Sequence, residues 1–109
     1  MIKTLHLTNS FGDLLELFKK TKLKYYYVCS DDGRLLGMIS QSDIISALVS
    51  SDKLDLSLSE ILNPNFIYWL RDVSPDPPIN DLIRERVTEC PILDSNFRIL
   101  GTYSLFDHA

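Results

Sequence analysis

At 109 residues, with 45% apolar and 24% charged side chains, the chain has room for one compact domain or for two small halves sharing a core. Fifteen acidic residues against eleven Lys and Arg leave a net charge of −4, which argues against a nucleic-acid partner, since a phosphate backbone favours a basic face. Cys29 and Cys90 are too few for a disulfide scaffold and stand in no C-x-x-C metal spacing, so the expectation is buried free thiols in a reducing compartment.

No apolar run approaches the ~20 residues of a membrane span, and no secretory leader core follows Met1. The expected location is the cytoplasm. In chain order, Thr4–Leu7 alternates like a short strand. Phe11, Leu14, Leu15 and Phe18 have helical spacing, Ser10 with Asp13 reads as a capping box, and Lys19, Lys20 and Lys22 suit the negative end of the helix dipole. Tyr25–Cys29 is a strand by its aromatic and β-branched content. Asp31-Asp-Gly33 is a hairpin turn with glycine supplying positive φ, and Arg34–Ile39 is the return strand. Ile44, Ile45, Leu48 and Val49 are expected to form the inner face of a helix that starts after Ser40.

Ser50–Asp55 is a polar connector, and Ser57–Leu62 is a short capped helix stopped by Asn63-Pro64. Phe66–Leu70 is the most aromatic strand candidate. Ser74–Pro78 is a loop whose prolines can open a helix but not continue one. Ile79, Leu82, Ile83 and Val87 are expected to face inward on that helix, and Cys90–Leu93 with Arg98–Tyr103 makes a second hairpin.

The second hairpin is an echo of the first. Gly37-Met-Ile-Ser40-Gln-Ser-Asp43 returns as Gly101-Thr-Tyr-Ser104-Leu-Phe-Asp107, a step of 64 residues, and the strands ahead of each copy match at the same step. An internal repeat means two similar units that share a core. Phe11 to Tyr27 spans 16 positions and its counterpart, Ile79 to Pro91, spans 12, so the second helix is expected to be about one turn shorter.

Strand, helix, acidic-turn hairpin, then Gly-x-x-Ser-x-x-Asp opening a helix: this order resembles the cystathionine-β-synthase-type (CBS) domain, and two in tandem resemble the paired CBS module. The resemblance covers nearly the whole chain. It implies an α/β fold of two βαββα CBS repeats, 1–52 and 53–109, packed about a pseudo-two-fold axis. It also implies a regulatory module, not an enzyme, that senses an adenosine nucleotide (AMP, ADP or ATP). The family's ligand motif falls on Gly37, Ser40 and Asp43 and on Gly101, Ser104 and Asp107. Departures are Tyr27 where the family commonly has proline (Pro91 in the second half) and Asn96-Phe97 in place of the turn glycine, with Asn96 able to tolerate the left-handed region. The chain opens directly at its first strand and stops soon after Asp107, like a regulatory fragment of a longer polypeptide.

An ionised Asp43 accepts only, and can take hydrogen bonds from both hydroxyls of a ribose diol, with Ser40 beside it at a helix start. The plainer reading is that Ser-x-x-Asp is a helix capping box. Tyr25 and Tyr27 share one strand face and can stack on a purine or simply pack, and Tyr27 can instead fill the first cleft. His6 can line that cleft, and Cys90 is carried as a candidate lining residue of the second. His108 is expected to be free, and two lone histidines make no metal site. Lys24, Arg34, Arg84, Arg86 and Arg98 can neutralise phosphate but read equally as solvated charges.

Cys29 has no base near it in sequence and neither Ser-x-x-Asp pair has a histidine, so no catalytic constellation is proposed. The first copy is expected to be the better-formed site, because bulky Leu105-Phe106 stands inside the second. A ligand-free dimerisation module of the same fold is the competing reading, and a homodimer is implied by resemblance. Tyr26-Tyr-Val-x-x-x-Asp-Gly-Arg-Leu-Leu-Gly37 and Ile99-Leu-Gly-Thr-x-Ser104 resemble cytoplasmic tails of the chloride channel family. Metal-ion transporters, inosine-monophosphate-dehydrogenase-like enzymes and sugar-phosphate isomerases carry similar pairs, so the expected partner is an attached transporter or enzyme domain.

Overall fold

The computed structural model describes residues 4–50 and 56–108, Asp107 and His108 by backbone only. The first half runs β1 (Thr4–His6), α1 (Phe11–Thr21), β2 (Tyr25–Cys29), β3 (Leu35–Ser40) and α2 (Gln41–Ser50). The second runs β4 (Trp69–Leu70), α3 (Ile79–Arg84), β5 (Glu89–Leu93) and β6 (Ile99–Ser104), and closes with a 3-10 turn at Leu105–His108. Each half is a three-stranded sheet in which the middle strand pairs parallel to the first and antiparallel to the third. The boundary between repeats, at residues 52 and 53, lies outside the described residues.

The α1 capping box forms as its sequence implies: Ser10 Oγ accepts the Asp13 N–H and the Asp13 carboxylate accepts the Ser10 N–H. Those bonds hold the Asp13 carboxyl below its ordinary range. Lys22, in the left-handed conformation at φ 48°, ends the helix by donating its N–H to Phe18 O.

Strand alternation then sorts the side chains into layers. Leu5, Tyr26, Val28 and Ile39 face the helices and pack with Phe11, Leu14, Ile44 and Ala47. Tyr27, Cys29 and Leu35 lie on the opposite face and meet Leu93, Ile99 and Leu70 of the second sheet. Leu82, Cys90 and Tyr103 form the helix-side core of the second half. Both cysteines are buried and free.

Arg34 forms an antiparallel bridge with Arg98, its own counterpart at the 64-residue step. A residue paired antiparallel with its equivalent places the pseudo-two-fold axis between them. The Leu35 N–H donates to Phe97 O at 2.9 Å and the Arg98 guanidinium to Asp32 O at 3.2 Å, which ties the two hairpins together.

The segment after the connector crosses back. Phe11 N–H donates to Leu56 O, Ser10 bridges Ser57, and Leu58 is fully buried in the first half's core. Met38 and Asn63 exchange two backbone hydrogen bonds, of 3.1 and 2.9 Å. This stretch is a 3-10 turn at Leu58–Glu60, with the Ser57–Glu60 capping box formed. Gly37 is what admits it: a Cβ there would lie 2.4 Å from Leu62 Cδ1 and 2.9 Å from Asn63 O.

Four expectations change. The strand expected over Phe66–Leu70 is only Trp69–Leu70, paired with Ile92 and Leu93; at this register Tyr68 would meet Pro91, which has no N–H to donate, and Phe66 and Tyr68 instead pack their rings around Phe97. Ile45, Leu48 and Val49 do not face inward: α2 rests on the sheet through Ile44 and Ala47, which leaves Val49 83% exposed. Ile83 is likewise 60% exposed, since α3 has six residues to the eleven of α1 and buries Leu82. The left-handed residue of the second turn is Phe97, at φ 64°, and not Asn96, because Phe97 is the counterpart of Gly33 at φ 86°. Ring packing holds Phe97 in a conformation that costs an ordinary residue about 1–2 kcal/mol.

Gly37→Ala is expected to lower stability by about 1–3 kcal/mol, as overpacking does. Gly101→Ala, whose Cβ would meet only Ile92 Cδ1 at 3.9 Å, is expected to be neutral or slightly stabilising. Urea unfolding of the two variants side by side measures the difference.

Candidate functional site

The first motif sits where β3 turns into α2. Asp43 Oδ2 accepts the Ser40 N–H at 2.9 Å and the Ser40 hydroxyl at 3.0 Å, while Ser40 Oγ accepts the Asp43 N–H at 3.2 Å. The capping box is therefore real. It also fixes the carboxylate, whose Oδ1 accepts no hydrogen bond among the described residues. A space of about 340 Å³ lies beside Asp43, lined by Ser46, Ala47 and Ser50 of α2 and by Leu56, Glu60 and Ile61 of the crossing segment.

Tyr25 is the cross-strand neighbour of Ser40 and is half-buried, so the structure brings those two together. Tyr27 follows on the same face, between Thr4 of β1 and Met38 of β3, and is only 3% exposed. Its hydroxyl donates to Glu89 Oε2 at 2.8 Å across the junction of the halves. Burial first, then the Glu89 charge, pushes the Tyr27 phenol well above its ordinary 10.0. Tyr27 packs between the two sheets with Cys29, Leu35 and Leu93. Glu89 in turn is the cross-strand neighbour of Ser104, as Tyr25 is of Ser40.

The remaining candidates are dispersed. His6 is exposed and pairs with Cys29, at the end of β2 away from Tyr25. Cys90 is fully buried in the helix-side core with Leu82 and Tyr103, and burial followed by Glu89 pushes its thiol up to about 11. Ser104 is half-buried and accepts the Phe106 N–H at 3.2 Å. The Asp107 and His108 side chains lie outside the described residues. Among those described, no cluster of three His, Cys, Asp or Glu could hold a metal. No described helix is long and apolar enough to cross a membrane.

The larger cavity is elsewhere. About 590 Å³ opens between the halves, walled by Met38, Phe66, Ile67 and Val87, with Asn63, Asn65 and Glu85 at its polar parts. That volume suits a small organic ligand. Val87 adjoins Thr88, whose carbonyl accepts the Leu105 N–H directly after Ser104, so the cavity opens near the second motif. Sequence reasoning did not single out Glu85 or Glu89. A carboxylate at the head of an otherwise apolar strand was the available signal for Glu89.

Residues 2–50 match the family model of the CBS domain. The CBS domain pair of protein MJ0100, solved with 5′-methylthioadenosine and S-adenosyl-L-methionine, superposes with a TM-score of 0.79 over 99% of this chain and 85% of its own, at 21% identity. This chain is a CBS domain pair in fold. The CBS domain protein PAE2072 from Pyrobaculum aerophilum, complexed with AMP, is similar over 97% of the pair and 82% of its own length (TM-score 0.80, 20% identity). The cytosolic domain of the Mg²⁺ channel MgtE, in complex with ATP, is similar over 98% of the pair but 43% of its own length (TM-score 0.78, 20% identity). In sequence, 50 residues of the pair are 40% identical to the uncharacterized protein MJ1426 of Methanocaldococcus jannaschii. The match covers 46% of this chain and 29% of that protein.

Tyr27 and Cys90 give the pair an alkaline limit. Their folded pKa values lie above the ordinary 10.0 and 9.0, so the folded chain holds protons that the unfolded chain releases. Both contributions are complete below pH 9; that of Cys90 is lost between pH 9 and about 11, and that of Tyr27 begins to fall above pH 10 and continues to fall beyond the Cys90 range. Tyr27→Phe, which deletes the bond to Glu89, is expected to cost about 1.5 kcal/mol at neutral pH. It is also expected to flatten the alkaline fall, followed by urea midpoints from pH 7 upward.

Proposed function

We propose that this CBS pair is a regulatory module that binds an adenosine-containing ligand and biases a domain joined to it. The single observation that carries the proposal is the cavity of about 590 Å³, whose walls come from both halves: Met38 from the first, Ile67 and Val87 from the second. An occupant touching both halves favours whichever relative position fits it, which is the thermodynamic requirement for regulation. The apolar walls suit a purine. Ser104 and Asp107 are the proposed ribose contacts for this cavity, and Ser40 and Asp43 those for the first cleft. The adenosine ligands of the MJ0100, PAE2072 and MgtE structures support the class of ligand.

The position of the cavity moves the preference between the two copies. The larger cavity opens near Leu105, next to Ser104, so the second motif is proposed as the better site and the first as the weaker. The attached domain is proposed to be a transporter, channel or enzyme domain, with the pair on the cytoplasmic side. A thermal-shift panel at millimolar AMP, ADP, ATP, S-adenosyl-L-methionine and GMP tests the reading. At 100 times its dissociation constant a ligand adds about 2.7 kcal/mol to the native state. At least one adenosine compound is expected to raise the melting temperature, and Val87→Trp, which fills the cavity, to abolish the rise. A flat panel would remove the sensing role.

A second reading rests on α2. Ile45, Leu48 and Val49 form an exposed apolar face, which suits self-association of the pair as a homodimer. Sedimentation is expected to show a dimer that Leu48→Glu converts to monomer. If the dimer persists while the ligand panel stays flat, the pair is a dimerisation scaffold.

A further inference from the structure

The larger cavity and the second motif carry charge of one sign. Glu85 lines the cavity of about 590 Å³, and no Lys or Arg lines it among the described residues. Arg86 is exposed, in the left-handed conformation at φ 57°, and takes no part in the lining. Glu89 is the second carboxylate. As the cross-strand neighbour of Ser104 it shares that residue's face of the sheet, where the Tyr27 hydroxyl of the first half donates to its Oε2 at 2.8 Å.

Glu89 is half-buried and has no cation beside it. The ion pairs among the described residues are Lys19–Glu16 and Arg84–Asp81, both exposed. Its Oε1 accepts no hydrogen bond among the described residues, so one neutral phenol is set against a full charge that has lost part of its water. Such a carboxylate favours a cation or a hydroxyl donor nearby and disfavours a second anion. The Tyr27 phenol already feels that field: burial first, then the Glu89 charge, holds it above its ordinary 10.0.

We propose that the second site selects adenosine compounds that carry no phosphate, neutral or cationic, over AMP, ADP and ATP. The inference rests on the reading of this cavity and Ser104 as an adenosine site, and narrows that reading to one class of ligand. With the base in the cavity and the ribose at Ser104, a 5′ substituent is one carbon from the ring and stays beside Glu89. A 5′ phosphate brings about two negative charges there, with no Lys or Arg in the lining to meet them. A 5′ thioether needs no counter-charge, and a 5′ sulfonium finds one in Glu89. Glu85 and Glu89 are thus specificity-determining residues, acting by repulsion of the wrong ligand.

The test titrates 5′-methylthioadenosine, S-adenosyl-L-methionine, AMP and ATP into the ¹⁵N-labelled chain and takes affinities from the amide shifts of Ile67, Val87 and Ser104, which report this site alone. The better of the two phosphate-free compounds is expected to bind at least ~10-fold tighter than AMP. AMP is expected to gain affinity between ~0.05 and ~0.5 M NaCl, as screening weakens the repulsion. In Glu85→Gln/Glu89→Gln, whose amide oxygen at 89 can still accept from Tyr27, the preference is expected to shrink by at least ~10-fold. AMP or ATP binding as tightly as the phosphate-free compounds would overturn the selection and leave the adenosine reading standing. So would an AMP affinity that falls with salt, or a preference that the double variant leaves intact. No saturable shift with any of the four compounds would remove the adenosine reading itself, and the selection with it.

Discussion

Burial between the two sheets is the constraint on which the rest depends. A three-stranded sheet with helices on one side leaves its other side apolar, and here Tyr27, Cys29 and Leu35 have only the second sheet to cover them. At roughly 25 cal/mol per Å² of apolar surface, exposing that face would cost more than a chain of this size can spare. The halves are thus obliged to meet. The Arg34–Arg98 bridge and the Tyr27–Glu89 bond set the relation in which they do so.

That junction explains why the candidate site and the structural core share residues. Tyr27 packs one half against the other and carries the bond to Glu89, the cross-strand neighbour of Ser104. Met38 is held by Asn63 and also walls the larger cavity. A ligand bound at such a place would act directly on the contact between halves, so the proposed regulation would require no separate relay. The same economy appears at Ser40 and Asp43, where the box that caps α2 also orients the carboxylate.

Much of this was legible in the chain. Period-two alternation in β3, the Ser10–Asp13 box, the Gly33 turn and the 64-residue step specify local geometry through sterics and hydrogen bonds a few residues apart. Ile45, Leu48 and Val49 were misplaced because the helical period names an apolar stripe but not the side that meets the sheet. Phe97 was misassigned because asparagine tolerates positive φ better, and only the aromatic packing around Phe66 and Tyr68 outweighs that preference.

By itself the sequence determined the repeat, the order of elements, the two motif corners and the α/β class, since each is written in contacts between near neighbours. The tertiary structure decided where open space remains, between the halves and beside Asp43, and which half the segment 56–63 serves. It also decided what Gly37 is for. Those outcomes rest on Tyr27 meeting Glu89 and on Leu62 meeting Gly37, contacts between residues far apart in sequence that no local pattern records.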